Sequence, residues 1–184
     1  MIWFIADTHF GHDHGFVYEP RGFKSEREMT EQIIENWNNS IQPDDTVYMV
    51  GDFCLGKDME FIKNTVLRLN GQIHLIRGNH DTDMKAEFYK QFSNIVEITY
   101  STKIKYKKRT LYISHYPTLT ASLEQNPNGA VFNIHGHIHT KNKFYEDMPF
   151  LYNVSCDSQN CKPVNIDDVL DQIYAKIAEC YTYI

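Results

Sequence analysis

The sequence predicts an α/β fold with a parallel sheet in its first half. Two observations predict it. Short apolar runs at residues 2–6, 46–50 and 73–76 alternate with two longer stretches of helical apolar spacing. The second half then changes character, with strand-like runs at 95–99, 104–106, 111–114, 131–134 and 151–154 separated by turns. Hydrophobic residues make up 42% of the 184 and aromatics 14%, which is enough apolar material for a sizeable core.

Each element follows from local chemistry. Residues 2–6 form a short apolar run that ends at Asp7, as a buried first strand does. Ser25 with Glu28 three positions on is a capping box, and it opens a helix through Ile33, Ile34 and Trp37. Asn38, Asn39, Ser40 and Pro43 end it. Gly51 stops the second strand. Met59, Phe61, Ile62, Val66, Leu67 and Leu69 predict a second helix closed by Asn70 and Gly71. The third strand runs directly into Arg77-Gly78-Asn79-His80-Asp81. Lys107-Lys108-Arg109 reads as a hairpin tip. Asn165 caps a last helix with Ile166, Val169, Leu170, Ile173 and Ile177 on one face. No repeat, low-complexity segment or linker interrupts the chain, so residues 1–184 are expected to form a single domain.

Charge and cysteine usage narrow the function classes. The net charge is −6 with His neutral. A protein that grips nucleic acid broadly carries a basic surface, so stable nucleic-acid binding is not expected. Cys54, Cys156, Cys161 and Cys180 form no C-x-x-C pair, which sets aside zinc-finger and thioredoxin motifs. The apolar start is too short for a signal peptide, and no stretch reaches the length of a membrane span. The expectation is a cytoplasmic protein with reduced thiols and no membrane partner.

Chemistry concentrates in four segments: Asp7-Thr8-His9, Gly51-Asp52, Gly78-Asn79-His80-Asp81 and Gly136-His137-Ile138-His139. Each falls at or just after a predicted strand end. Ligand sites of open α/β sheets gather at the carboxyl ends of strands. Extended backbone would aim Asp7 with His9, and His137 with His139, into one cavity. Gly51 and Gly136 permit close approach or positive φ beside them. A lone D-x-H or a lone His after a strand is more often structural. Four such segments at four strand ends point to a metal centre, in which one carboxylate can bridge two cations.

This ordered set, with His115 added, resembles the calcineurin-like metallophosphoesterase superfamily. The motifs run from residue 7 to 139, and Gly-Asn-His-Asp with a later Gly-His-x-His is highly specific. Thr8 to His12 and the Ser114-His115-Tyr116-Pro117 context further resemble a compact bacterial and phage-type branch described only as phosphoesterases. The resemblance implies a four-layer α/β/β/α sandwich with two packed mixed sheets and a dinuclear metal site at the strand ends. It implies that Asp7, His9 and His139 hold one divalent ion, that Asn79, His115 and His137 hold a second, and that Asp52 bridges them. It implies that His80 is a catalytic acid or phosphate contact rather than a ligand. The donor set suits Mn²⁺, our first candidate, and also Fe or Zn²⁺. The two ions would acidify a bridging water to hydroxide, which attacks a phosphomonoester or phosphodiester.

Several neighbours carry two readings. His12, Arg77 and Arg21 are candidate substrate contacts, the arginines being equally suited to pairing with a carboxylate. His14 is as well suited to plain surface. His135 is aimed by strand alternation like His137 and His139, which makes it a candidate supporting residue. His74 reads as structural, and Lys103, Lys105 and Lys107 read as the wet face of a strand. The expected partner is a small phosphorylated substrate, selected by loops 10–24 and 116–130. A nuclease and a non-catalytic scaffold on the same fold are the alternatives. Loss of ligands or of His80 would mark the scaffold, and every one of them is present.

Overall fold

The computed structural model describes residues 1–122 and 126–181. Strands β1 (Ile2–Ile5), β2 (Thr46–Met49), β3 (Gln72–Ile76) and β4 (Ile95–Thr99) run parallel in the order β4-β3-β2-β1. A second sheet holds β5 (Ser101–Tyr106), β6 (Arg109–Ser114), β7 (Phe132–His135) and β8 (Leu151–Asn153) in chain order. Its first pair is antiparallel and the other two are parallel. A two-residue strand, β9 (Val164–Asn165), adds antiparallel to the free edge of β1. The helices are α1 (Gly15–Tyr18), α2 (Glu26–Ser40), α3 (Met59–Val66), α4 (Asp83–Tyr89) and α5 (Ile166–Tyr181).

Alternation along the parallel strands feeds two cores. Ile5, Val47, Met49, Ile73 and Leu75 pack with Met29, Ile33 and Trp37 of α2, Ile62 and Val66 of α3, and Tyr89 of α4. The opposite faces, Phe4, Tyr48 and Ile76, meet Leu111 and Ile113 of β6 and Phe132 and Ile134 of β7. Val169, Leu170 and Ile173 of α5 complete that second core. Two mixed sheets packed together, with helices, are what the resemblance implies.

The predicted caps form with one change. Ser25 Oγ accepts from Glu28 N at 3.2 Å, but the Glu28 carboxylate reaches back to Lys24 N rather than to Ser25 N. Asn165 Oδ1 accepts from Asp168 N at 2.9 Å, as expected of the α5 cap. Lys107 and Lys108 both take left-handed φ, 44° and 66°, as a two-residue hairpin turn requires. Sequence periodicity gives no sign of α1, α4 or β9, which are four, seven and two residues long. They are too short to show a repeat. Leu123, Glu124 and Gln125 of the predicted selectivity loop lie outside the described residues, as do residues 182–184 of the predicted domain.

Trp37 ties the first layer together. It is fully buried, and its Nε1 donates to Asn70 O at 2.8 Å, which fixes the end of α2 to the turn before β3. Trp37→Ala should therefore cost about 3–5 kcal/mol, read as a lowered urea midpoint. Stability within 1 kcal/mol of the parent, on the order of a surface change, would show that α2 docks by other contacts.

Candidate metal centre

Every predicted ligand stands just beyond a strand. Asp7 and His9 follow β1, Asp52 follows β2, Asn79 follows β3, His115 follows β6, and His137 and His139 follow β7. The backbone there is not extended, which corrects the alternation argument. Asp7 (φ 56°), His9 (50°), Asp52 (54°), His137 (74°) and His139 (41°) are all left-handed. The strands have already ended at Ile5, Met49 and His135, so the chain turns at these five residues instead of pleating. Backbone hydrogen bonds hold those turns, with Asp7 N on Gly51 O at 3.0 Å and His9 N on Asp52 O at 3.1 Å. A Cβ on Gly51 would run into His115 Nδ1, and one on Gly136 would lie 2.5 Å from Asp7 Oδ2. Both glycines are needed for close approach.

The side chains form two sets that meet at Asp52. Asp7, His9, Asp52 and His139 offer ligand atoms all within 4.8 Å of one another. His9 Nε2 lies 4.0 Å from Asp7 Oδ1 and 3.6 Å from Asp52 Oδ2, while His139 Nε2 lies 3.9 Å from Asp7 Oδ1. On the other side, His115 Nε2 lies 3.6 Å from the same Asp52 Oδ2, 3.0 Å from Asn79 Oδ1 and 3.2 Å from His137 Nδ1. His115 Nδ1 faces Val50 O at 3.0 Å. If Nδ1 donates there, Nε2 keeps its lone pair toward Asp52. His80 stands outside both sets. Its side chain is 46% exposed, its Nε2 is 3.9 Å from Asp52 Oδ2, and its backbone N donates to Asp52 Oδ1 at 2.9 Å.

The donor set fits divalent ions. Asp7 Oδ1 and His9 Nε2 are buried and have no hydrogen-bond partner. Such atoms are rare because each costs the desolvation of a polar group. Burial pushes the Asp7 carboxyl up to about 6, and burial with neighbouring cationic groups pushes His9 down to about 2. His137 is also lowered, by burial first and then by His115. Burial works against protonation of His139, but the Asp157 hydrogen bond and the Asp7 charge outweigh it and leave its pKa raised. A neutral His9 beside an unpartnered carboxylate oxygen is a donor pair suited to a divalent cation.

Four residues take supporting roles that the sequence reading did not assign. Asp81 accepts from Asp52 N, Phe53 N and Gly78 N and so locks the loops after β2 and β3 together. Asp157, just beyond β8, accepts from His139 Nδ1 at 2.8 Å and orients Nε2 toward Asp7. Hydrogen bonds from His139 and Arg21 hold Asp157 well below the usual carboxylate range against the opposing effect of burial. Lys85 of α4 donates from Nζ to Cys54 O and His80 O. Tyr116 sets its ring edge-on to His137, 4.5 Å between centroids. A helix-start signal, Thr82 before a run of helix formers, could have placed Lys85. The other three owe their roles to distant partners.

The ambiguous neighbours are placed as follows. Arg21 lies behind the ligands with its side chain 2% exposed, and donates to both Asp157 oxygens and to Asp7 O at 2.9 Å. Arg77 grips Asp81 O, Tyr100 Oη and the Asp83 carboxylate. Both guanidiniums are thus engaged by protein groups. His12 stacks on His9 with Nδ1 atoms 3.3 Å apart, and His14 packs edge-on to His12. His135 is buried with Nδ1 on Gly136 O, because β7 ends there and His137 turns away from it. His74 pairs with Glu97.

The sequence pattern of the calcineurin-like phosphoesterases matches residues 1–174. The chain belongs to that family. It is 34% identical over 179 residues to an uncharacterized protein of Methanocaldococcus jannaschii, covering 94% of this chain and 90% of that one. Among solved structures, a protein of unknown function from Aquifex aeolicus aligns with TM-score 0.71 and 25% identity, over 93% of this chain and 98% of the other. A structure described as a novel archaeal phosphodiesterase aligns with TM-score 0.51 and 19% identity over 85% of each chain, which is a likeness of fold. Family membership agrees with the metal-ligand cluster that the geometry shows.

Two predictions follow from this electrostatics. Asp157→Asn should weaken metal affinity roughly 10- to 100-fold by loosening His139, measured by metal titration with circular dichroism confirming the fold; unchanged affinity would remove Asp157 from the site. Metal uptake should also compete with protons on Asp7 and His139. Affinity should then fall as pH drops through about 6, roughly tenfold per pH unit for each proton displaced. A flat affinity between pH 5 and 7, with no proton release on binding, would contradict it.

Proposed function

We propose that the chain hydrolyses small phosphate monoesters or diesters with two divalent ions, Mn²⁺ being the first to test. One observation carries this reading: Asp52 Oδ2 lies 3.6 Å from His9 Nε2 and 3.6 Å from His115 Nε2. A single carboxylate oxygen thus faces both candidate sets, where Asp52 could be shared between two cations. Asp7, His9 and His139 would hold one ion, and Asn79, His115 and His137 the other. Bound there, the ions supply Lewis acidity at the phosphoryl oxygens and a water acidic enough to attack near neutral pH.

The remaining work falls to the chain itself. His80 N fixes Asp52 Oδ1, so that Oδ2 is the oxygen left for the bridge. The exposed His80 imidazole stands beside that oxygen and outside both ligand sets, where it can protonate the departing alkoxide. Asp157 and Val50 O hold the imidazoles of His139 and His115 with Nε2 facing the carboxylates. Thiols at all four cysteines favour a reducing compartment, the cytoplasm. Among the described residues no helix is long and apolar enough to cross a membrane.

A small substrate is favoured over a polymer. The net charge of −6 repels a polyanion at long range. Within the basic hairpin, Lys107 pairs with Asp167, and Arg109 is engaged by Tyr174 and Asn128. The deciding experiment is a hydrolysis screen of the metal-loaded protein on monoesters, diesters and duplex DNA at low salt. Small esters should be cleaved, chelator should abolish the activity, and duplex should not compete. Silence with every first-row divalent ion would point to the scaffold, and efficient cutting of duplex to the nuclease. His80→Ala should keep the metal content and lower kcat by roughly 10²–10⁴-fold, less for very acidic leaving groups. Loss of metal with the side chain would make His80 a ligand.

A further inference from the structure

A cavity of about 160 Å³ opens against the ligand cluster. His9, His12, His139 and Asp157 supply its polar lining, and Phe16, Val17 and Pro20 its apolar lining. Phe16 is 73% exposed. Its ring is nevertheless held in place, parallel to His14 (5.5 Å, 11°) and edge-on to His12 (5.6 Å, 88°). His12 in turn stacks on His9, 5.4 Å between centroids. A row of contacting rings thus leads from solvent to the His9 imidazole of the candidate site. Phe16 thus presents most of its ring to solvent at the cavity wall.

We propose that this cavity is the subsite for the alcohol part of the ester, and that the part it takes is a flat ring, an aryl or heteroaryl group. The inference rests on the phosphoesterase reading for its phosphate anchor. Size supports the ring: drug-sized ligands occupy roughly 300–1,000 Å³, so this space holds one ring system and not a polymer segment. Continuity supports the placement, since a phosphate at the cluster would sit beside His9 and His139, the two residues shared with the cavity. Phe16 offers an exposed face for stacking, the geometry in which aromatic pairs gain beyond area burial.

The test is binding of two non-hydrolysable probes to the Mn²⁺-loaded protein by calorimetry, 2-phenylethylphosphonate and n-butylphosphonate. The wild type should prefer the aromatic probe by about tenfold. Phe16→Ala should bring the two affinities together, and Phe16→Tyr should restore the difference. Equal affinities in the wild type, no binding of either probe, or a preference that survives Phe16→Ala would overturn the subsite. Hydrolysis of the corresponding phosphate esters is read separately. A ring preference without turnover keeps the subsite and removes the esterase reading, whereas turnover without a ring preference does the reverse.

Discussion

Three carboxylates buried side by side beyond β1, β2 and β3 set the terms for the rest of the site. Asp7, Asp52 and Asp81 are each no more than 1% exposed. An unpaired buried carboxylate is prohibitive, so each must be met by donors or lose its charge. The donors are backbone amides, and their distribution separates anchor from ligand. Asp81 has both oxygens occupied by backbone N–H groups. Asp52 spends Oδ1 on His80 N, and Asp7 spends Oδ2 on His137 N. What is left, Asp52 Oδ2 and Asp7 Oδ1, faces the imidazoles. The half-satisfied carboxylates are the ones that cluster with them.

The same loops carry backbone strain. Five ligand residues adopt left-handed φ, a conformation that costs a non-glycine residue of order 1–2 kcal/mol. Asp and His tolerate it better than most, though no local property of either residue favours it. The strain is over-determined by the hydrogen bonds from Asp7 N and His9 N to the neighbouring loop and by the Asp81 clamp. A site assembled from buried unpartnered polar atoms and strained turns costs stability, which a bound cation would offset. Ions that bind only the folded chain return stability by mass action.

This division explains what the sequence revealed. Four candidate donor segments were legible because they follow strand ends, whereas His115 and the division into two sets about Asp52 came from the family resemblance. The parallel strands were legible as short apolar runs between helical stretches, while the two packed sheets were implied by the family resemblance. The turns were not legible, since nothing in Asp7-Thr8-His9 distinguishes a pleat from a left-handed turn. Asp157 was not legible either. It reads as an isolated acid between two cysteines, and its partners His139 and Arg21 are 18 and 136 positions away. Arg21 looked free for substrate for the same reason, because the carboxylate it meets belongs to the other end of the chain. Lys85 was hidden by the brevity of α4.

Neither sheet can build the centre alone. Asp7, His9, Asp52 and Asn79 come from the first sheet, and His115, His137, His139 and Asp157 from the second. The seam between them is closed by backbone as well as by apolar packing. Ala6 N donates to Val154 O, Cys156 N donates to Ala6 O, and Ala6 bridges Ser155 in parallel register. His137 N on Asp7 Oδ2 and His115 facing Val50 O cross the same seam within the site itself. The distances from Asp52 Oδ2 to His9 and His115 therefore depend on how Phe4, Tyr48 and Ile76 pack on Ile113, Phe132 and Ile134. A close-packed interior transmits sub-ångström changes instead of absorbing them. The core between the sheets is thus part of the metal centre's geometry, at one remove from any ligand.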